Sequence, residues 1–348
     1  MRRTAAMAVR STVQTVTAHL STGEVAIPYW SLAADRDGPT LLVTAALHGN
    51  EVQGAEVMRR LRGAAMRKMT CGRMLLAPMA NLPAVRNRRP HITSGPETPY
   101  GVAFGYNINR TWPGDAEGTD SARVAHALHP VLVEPADFAL DFHCWPLMRA
   151  TTALFNHAYP EAVRWARSTC VRFALGSSRP AGPSDAEPGD TLIRHMHRRG
   201  RRGICVELSG QYLIGRREVA RGLRAATNIA IELGLLGGEP AGLDEPMVWL
   251  PDAPIESIRA PHDGLFAPAG LAPSDRVEAG QLLGHLISDR DLAVTELRAP
   301  LAGYLWTYGR FRDHVDVSLA AQHPFADEGD VLVEIAEANE PPKIEWRG

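Results

Sequence analysis

Five short runs of apolar residues punctuate the first two thirds of the chain: TLLVTAA at 40–46, RMLLAPM at 73–79, DFALDF at 137–142, TTALF at 151–155 and GICVEL at 203–208. Segments with helical spacing alternate with them, at 51–68, 120–133, 159–171, 189–199 and 215–235. Several runs are apolar throughout, which suits strands of a sheet covered on both faces. Strands alternating with helices predict an α/β layer fold, a mostly parallel or mixed central sheet flanked by helices. Binding sites in such folds lie beyond the carboxyl ends of the strands. His48 and Glu51 stand at one such end, and His143 and Glu207 at or close to two others.

The bulk properties exclude several classes of function. The chain has 348 residues and is 45% apolar, enough for a large domain plus a small one without disulfide staples. Net charge is −2 and no long basic run occurs, which argues against nucleic acid or an acidic membrane as the main partner. Lysine occurs only at Lys68 and Lys343, and the arginine excess reads as genomic base composition. Cys71, Cys144, Cys170 and Cys205 form no CxxC pair, so neither a disulfide framework nor a cysteine zinc site is indicated. The first twenty residues lack the apolar stretch of a secretory signal, and no run approaches the ~20 apolar residues of a membrane span. The expectation is a soluble, cytoplasmic protein.

Three regions depart from the strand–helix rhythm. Residues 81–119 are rich in Pro, Gly, Asn and Arg with little periodicity, and a loop of that length is usually functional or disordered. GGEPAGLDEP at 237–246 has the composition of a linker. Beyond it helices vanish, and short strands and turns run to about residue 337. This last part contains an echo, RAPHDGL at 259–265 and RAPLAGY at 298–304, as a small pseudo-symmetric β-sandwich or barrel would show. The organisation expected is therefore 1–240, 247–337 and a loose tail, 338–348.

His48-Gly-Asn-Glu51 offers an imidazole and a carboxylate on a turn after a strand, and both can reach one metal ion. Zinc accepts such nitrogen and oxygen donors, and a catalytic zinc takes three protein ligands and leaves one position open. His143, ending the 137–142 run, is the best third ligand. Asp141, two residues earlier, falls on the same side of a regular strand and either orients a ligand imidazole or caps a turn. Glu207 is a carboxylate at the end of an apolar strand, either a general base for hydrolysis or one half of an ion pair. In NINRTWPG (107–114), Asn109 and Arg110 supply an amide and a guanidinium fork that suits a substrate carboxylate. Arg86, Arg88 and Arg89 are further arginines, one of which can hold an oxyanion. Trp145, Phe155 and Tyr212 either line a pocket or pack in the core.

Each motif is weak alone. Taken in order, HGNE (48–51), NINRTWPG (107–114), DFH (141–143) and VELSG (206–210) resemble the succinylglutamate desuccinylase/aspartoacylase family of zinc carboxypeptidase-like hydrolases. The resemblance implies one zinc per chain held by His48, Glu51 and His143, with Glu207 as general base. It implies substrate binding by Asn109 and Arg110, and oxyanion support from an arginine that Arg89 matches best. It also implies a zinc carboxypeptidase-like α/β domain and a C-terminal all-β barrel-sandwich akin to biotinyl/lipoyl domains. A homodimer or homotetramer acting on a small N-acylated substrate is expected. The chain departs from the family pattern in DFH for DLH, in the long segment between Arg89 and Asn109, and in Cys144-Trp145-Pro146 after the third ligand; these bear on substrate identity.

The function expected is zinc-dependent removal of an acetyl, succinyl or similar acyl group from an N-acylated amino acid or related small amine. The alternative is a metallocarboxypeptidase acting on short peptides, which needs a cleft that the C-terminal part leaves open. A biotin or lipoate carrier is excluded, because residues 247–337 contain no lysine to modify.

Overall fold

The computed structural model describes residues 9–93, 106–159, 161–177, 189–250, 252–309 and 323–342. The middle of the 81–119 segment and the end of the tail lie outside the described residues.

Each expected strand and helix is present, with shifted ends. The strands β3 (Thr40–Ala45), β4 (Arg73–Ala77), β5 (Phe138–Trp145), β6 (Thr152–Asn156) and β8 (Arg202–Ser209) belong to one nine-stranded sheet. It also holds β1 (Val9–Leu20), β2 (Gly23–Ala34), β7 (Phe173–Ser177) and β9 (Val248–Leu250), in the order β1-β2-β4-β3-β5-β8-β6-β7-β9. The central block β4-β3-β5-β8 is parallel, while β2 pairs antiparallel with β4 and β6 antiparallel with β8, so the sheet is mixed. The long hairpin of β1 and β2 closes through Ser21 and Thr22 between the paired Leu20 and Gly23.

Helices cover both faces, which is why the central strands read as apolar throughout. α1 (Gln53–Lys68), α4 (Ala162–Ser168) and α6 (Arg216–Glu232) bury Val57, Met58, Leu61, Trp165, Val219 and Ile229 against Leu41, Val43, Leu140, Phe142, Val206 and Leu208. The opposite face takes the alternate residues Leu42, Leu75 and Ala139. There α3 (Asp120–Leu128) and α5 (Leu192–Arg198) contribute Val124, Ala125, Leu128, Leu192 and Met196. α2 (Leu82–Asn87) is a single short helix capped by Asn81 with Pro83 in its first turn. The helix expected over 120–133 changes character at His129–Val133, where a π turn closes through Glu134 N–H on the His129 carbonyl. Pro130 has no N–H to continue the α pattern, so the chain takes the wider turn.

After β9 the chain forms two antiparallel four-stranded sheets. One holds β10 (Ile255–Arg259), β12 (Arg276–Val277), β15 (Gly303–Tyr308) and β17 (Val331–Ala336). The other holds β11 (Gly264–Pro268), β13 (Leu282–Ser288), β14 (Val294–Arg298) and β16 (Phe325–Ala326). Both RAPxxG motifs are corners: the first leads from β10 to β11 and the second from β14 to β15, each crossing from one sheet to the other. Phe266, Leu283, Leu286, Leu305, Leu332 and Ile335 fill the space between the sheets. A separate cluster joins them to the large sheet, with Tyr304, Trp306 and Ala336 packed on Ala150, Phe173, Val248 and Leu250. Residues 248–250 pair with β7, so the large sheet ends at Leu250 and the small sheets begin at Ile255. No described helix is long and apolar enough to cross a membrane.

Candidate metal centre

Strand parity places the polar residues of β5 and β8 on one face. Phe138, Leu140, Phe142, Val206 and Leu208 point into the core under α1 and α6. Asp141, His143, Cys205 and Glu207 alternate with them and therefore share the other face. Register then pairs Asp141 with Cys205 and His143 with Glu207 on neighbouring strands.

The loop after β3 brings the remaining donors. Ala46 takes a left-handed φ of 54°, and the Asn81 side-chain amide donates to the Leu47 carbonyl at 2.9 Å, so the exits of β3 and β4 are tied together. Gly49 N–H donates to the Pro90 carbonyl at 3.1 Å. A β-carbon at Gly49 would lie 2.2 Å from the Ala84 carbonyl carbon and 2.5 Å from the Arg89 carbonyl oxygen. Only glycine lets the backbone at the end of α2 approach this closely. Gly49→Ala is expected to destabilise the protein by about 1–3 kcal/mol through forced backbone movement and to weaken metal retention. Chemical denaturation and metal content check this; unchanged values for both would mean that the loop adapts freely.

His48, Glu51 and His143 are all buried and meet at one point. His48 Nδ1 lies 3.0 Å from Glu51 Oε1, His143 Nδ1 lies 2.7 Å from Glu51 Oε2, and the two Nδ1 atoms are 3.2 Å apart. The far nitrogens are occupied by the protein. His48 Nε2 is 2.9 Å from Asn107 Oδ1, and His143 Nε2 is 2.9 Å from Asp141 Oδ2. Asn107 Oδ1 also accepts the Asn109 N–H at 2.9 Å, and Asp141 Oδ1 accepts the Thr44 hydroxyl at 2.7 Å. These oxygens only accept, so they favour the tautomer with the proton on Nε2 and a lone pair on Nδ1.

The electrostatics favour positive charge at this point. Burial opposes charge on Glu51, yet His48 and His143 hold its carboxyl well below the usual range. Burial likewise opposes a charged His143, but the Asp141 and Glu51 carboxylates push its imidazole well above the usual value. A proton on His143 thus stands where a metal would be, and metal binding at such a site releases protons. Two nitrogens and a carboxylate suit zinc, whose tetrahedral ligands at 2.0–2.2 Å sit roughly 3.3 Å apart. The donor spacings of 2.7–3.2 Å need only slight widening.

Glu207 is half-buried, and its Oε2 is sealed from solvent with no hydrogen-bond partner among the described residues. Burial pushes its pKa up to about 8; His143 opposes the rise, and Glu51 and Asp141 add to it. Asn109 Oδ1 accepts the Leu192 N–H at 2.9 Å, while its Nδ2 lies 3.1 Å from His143 Nε2, a contact of two N–H groups when His143 carries its proton on Nε2. Arg110 folds back so that Nη1 donates to the Asn109 carbonyl at 2.7 Å. Among the three arginines after Asn81, Arg88 donates to the Arg86 carbonyl at 3.1 Å. Arg89 is exposed, and its backbone packs on Gly49. Phe155 packs in the core beside Trp249, Trp145 meets Trp306 edge to face at 5.2 Å, and Tyr212 is half-buried.

Four residues at the centre were not singled out from sequence. Asn107 and Thr44 complete the orientation of the two imidazoles. Gln211 donates to the Cys144 carbonyl at 2.9 Å and approaches Glu51 Oε1 at 3.5 Å. His91 stacks edge to face on His48 at 5.6 Å, and burial together with the His48 charge brings its pKa down to about 3, so it stays neutral. Asn107 and Gln211 lie inside or just after the motifs NINR and VELSG, the only sequence signal they carried.

A family model for the succinylglutamate desuccinylase/aspartoacylase catalytic domain matches residues 37–233, more than half of the chain. The chain belongs to that family. Within the succinylglutamate desuccinylase/aspartoacylase family it is similar to the N-alpha-acetyl-L-2,4-diaminobutyric acid deacetylase of Halomonas elongata, 27% identical over 288 residues and covering 81% of each chain. Among solved structures it resembles a succinylglutamate desuccinylase/aspartoacylase from Rhodobacter sphaeroides, with a TM-score of 0.66 and 24% identity over 95% of this chain and 97% of the other. It also resembles the product-bound ectoine utilization protein EutE (DoeB) from Ruegeria pomeroyi, with a TM-score of 0.63 and 22% identity over 97% of each chain. Coverage this wide means that the shared fold takes in the small C-terminal sheets as well as the large mixed sheet.

Proposed function

We propose that this protein is a zinc-dependent amide hydrolase that removes a short acyl group from an N-acylated amino acid or related small amine. The observation that carries this reading is the convergence of two imidazole Nδ1 atoms on one carboxylate, with Glu207 paired in register beside His143 on the neighbouring strand. The Halomonas relative, a deacetylase of an N-acetylated diamino acid, supports the same chemistry. In this reading residues 1–240 form a zinc carboxypeptidase-like catalytic domain, and the β-rich part from about 247 to 337 is a barrel-sandwich beside it.

His48, Glu51 and His143 would hold the ion. Zinc there supplies Lewis acidity and lowers the pKa of water toward neutrality. Glu207 takes a proton from the attacking water and returns it to the departing amine nitrogen. Arg89, at the rim of the Gly49 turn, turns its guanidinium to the oxyanion, and Arg110 clamps a substrate carboxylate. Asn109 binds substrate only indirectly, by fixing the turn that carries Arg110. Trp306 packs on Trp145 just beyond His143, which favours small substrates over peptides.

The test is a panel of N-acetyl and N-succinyl amino acids and diamines, with release of free amine as readout. Turnover of at least one member is expected, abolished by a chelator and restored by zinc. Arg110→Ala should raise KM about 10–100-fold for carboxylate-bearing members, the worth of one charged hydrogen bond. No turnover across the panel, or turnover indifferent to the chelator in metal-free protein, would overturn the reading.

A further inference from the structure

A cavity of about 320 Å3 shares no residue with the metal centre. It lies where α6 faces the connection to β9 and the loop before β12. Arg172, Arg217, Arg221, Arg224, Asp244 and Ser274 line it. Arg217, Arg221 and Arg224 recur at helical spacing on one side of α6, while Arg172 enters from the start of β7.

Three of the four arginines have acidic partners. Arg172 pairs with Glu245 at 3.1 Å, Arg217 with Asp275 at 3.1 Å, and Arg221 with Glu218. Arg224 has no ion pair among the described residues. Arg172 Nε, Arg224 Nε and Ser274 Oγ are buried, and no described group satisfies them. Leaving such groups unpaired is costly, more so where the group is charged, so their grouping around one cavity is unlike ordinary packing. Burial holds the Arg224 guanidinium below its usual pKa; Cys170 and Asp244 oppose the shift, and the nearby Arg221 and Arg172 cations add to it.

A doubly charged oxyanion answers each of these features. It accepts from several donors at once and pairs the Arg224 cation, the one arginine here without an ion pair among the described residues, and guanidinium forks match its oxygens. The volume exceeds a bare phosphate and reaches the ~300 Å3 lower bound of small-molecule sites. We propose that this cavity is a phosphate-binding site, separate from the metal centre, in which Arg172, Arg224 and Ser274 receive inorganic phosphate or the phosphoryl group of a small metabolite. It is independent of the reaction proposed above.

Arg224 is the residue to change. Arg221 is unsuitable, because its partner Glu218 also accepts the Ser209 N–H at 3.2 Å at the end of β8, the strand carrying Glu207. Calorimetric titration of the zinc-loaded protein at constant ionic strength uses inorganic phosphate and glycerol 3-phosphate, with chloride as control. A zinc centre also takes phosphate, so the decisive quantity is the binding that Arg224→Gln removes. Saturable binding is expected in the wild type. Arg224→Gln weakens it by at least about tenfold, and Ser274→Ala weakens it less, both with unchanged deacylation. Tighter binding of the ester identifies a phosphorylated metabolite as the occupant; equal binding identifies free phosphate. Absence of saturable binding, or equal affinity in wild type, Arg224→Gln and Ser274→Ala, would leave only an ion-pair network joining α6 to the small sheets and would overturn the proposal.

Discussion

Glu207→Gln is expected to fold, to retain its metal, and to lose roughly 10²–10⁴-fold of turnover, the usual contribution of a positioned general base. The substitution keeps shape and removes only the carboxylate. The same variant has a second signature in metal-free protein. Glu207 has a folded pKa of about 8 against an ordinary 4.5, so the native state holds its proton more tightly than the unfolded chain. The sign follows: this group's stabilisation is fully present below about pH 4.5 and is lost as pH rises through about 8. Glutamine has no such dependence, so above pH 8 the metal-free variant should exceed the wild type in stability by on the order of a few kcal/mol. Turnover with metal content, and denaturation of stripped protein from pH 5 to 9, are the measurements. A variant that turns over at the normal rate would remove Glu207 from the reaction, whatever its stability.

His143→Ala is expected to yield protein without bound metal and with no turnover above background, a larger loss than that of Glu207→Gln. It also leaves the buried Asp141 and Glu51 carboxylates without the imidazole between them. Breaking such buried pairs costs about 3–5 kcal/mol. Elemental analysis and thermal unfolding check this, beside wild-type protein stripped by chelator, which lacks metal but keeps the imidazole. If His143→Ala retained stoichiometric zinc, the ion would have to sit elsewhere.

The site was legible because its residues lie at strand ends, where short apolar runs mark the geometry without knowledge of long-range contacts. HGNE, DFH and VEL each follow a buried run, and the parallel pairing of β3, β5 and β8 carries them to one edge of the sheet. Asp141 is ambiguous from spacing alone, since a turn cap and an imidazole partner look alike; the 2.9 Å contact of its Oδ2 with His143 Nε2 makes it the imidazole partner. Gln211 and Asn107 carry only their places beside VELSG and inside NINR, because an amide has no charge or periodic signal of its own. The hairpin of β1 and β2 is hard to see in the sequence for a related reason. Its outer strand is largely exposed and rich in Thr, Ser and Gln, so it lacks the continuous apolar run that betrays a central strand. The doubled RAPxxG was visible as a repeat, but only pairing reveals it as a corner between two sheets.

The shared face of β5 and β8 also limits how a lineage built on this chain can diversify. Inserting or deleting one residue inside either strand would turn its polar side chains beneath α1 and α6 and its apolar side chains onto the face that now holds the metal centre. On the side of the metal centre, length can vary past Trp145 and past Ser209, where these two strands end. New substrate preferences are expected to arise there by growth and loss of loops, over a strand framework whose spacing stays fixed.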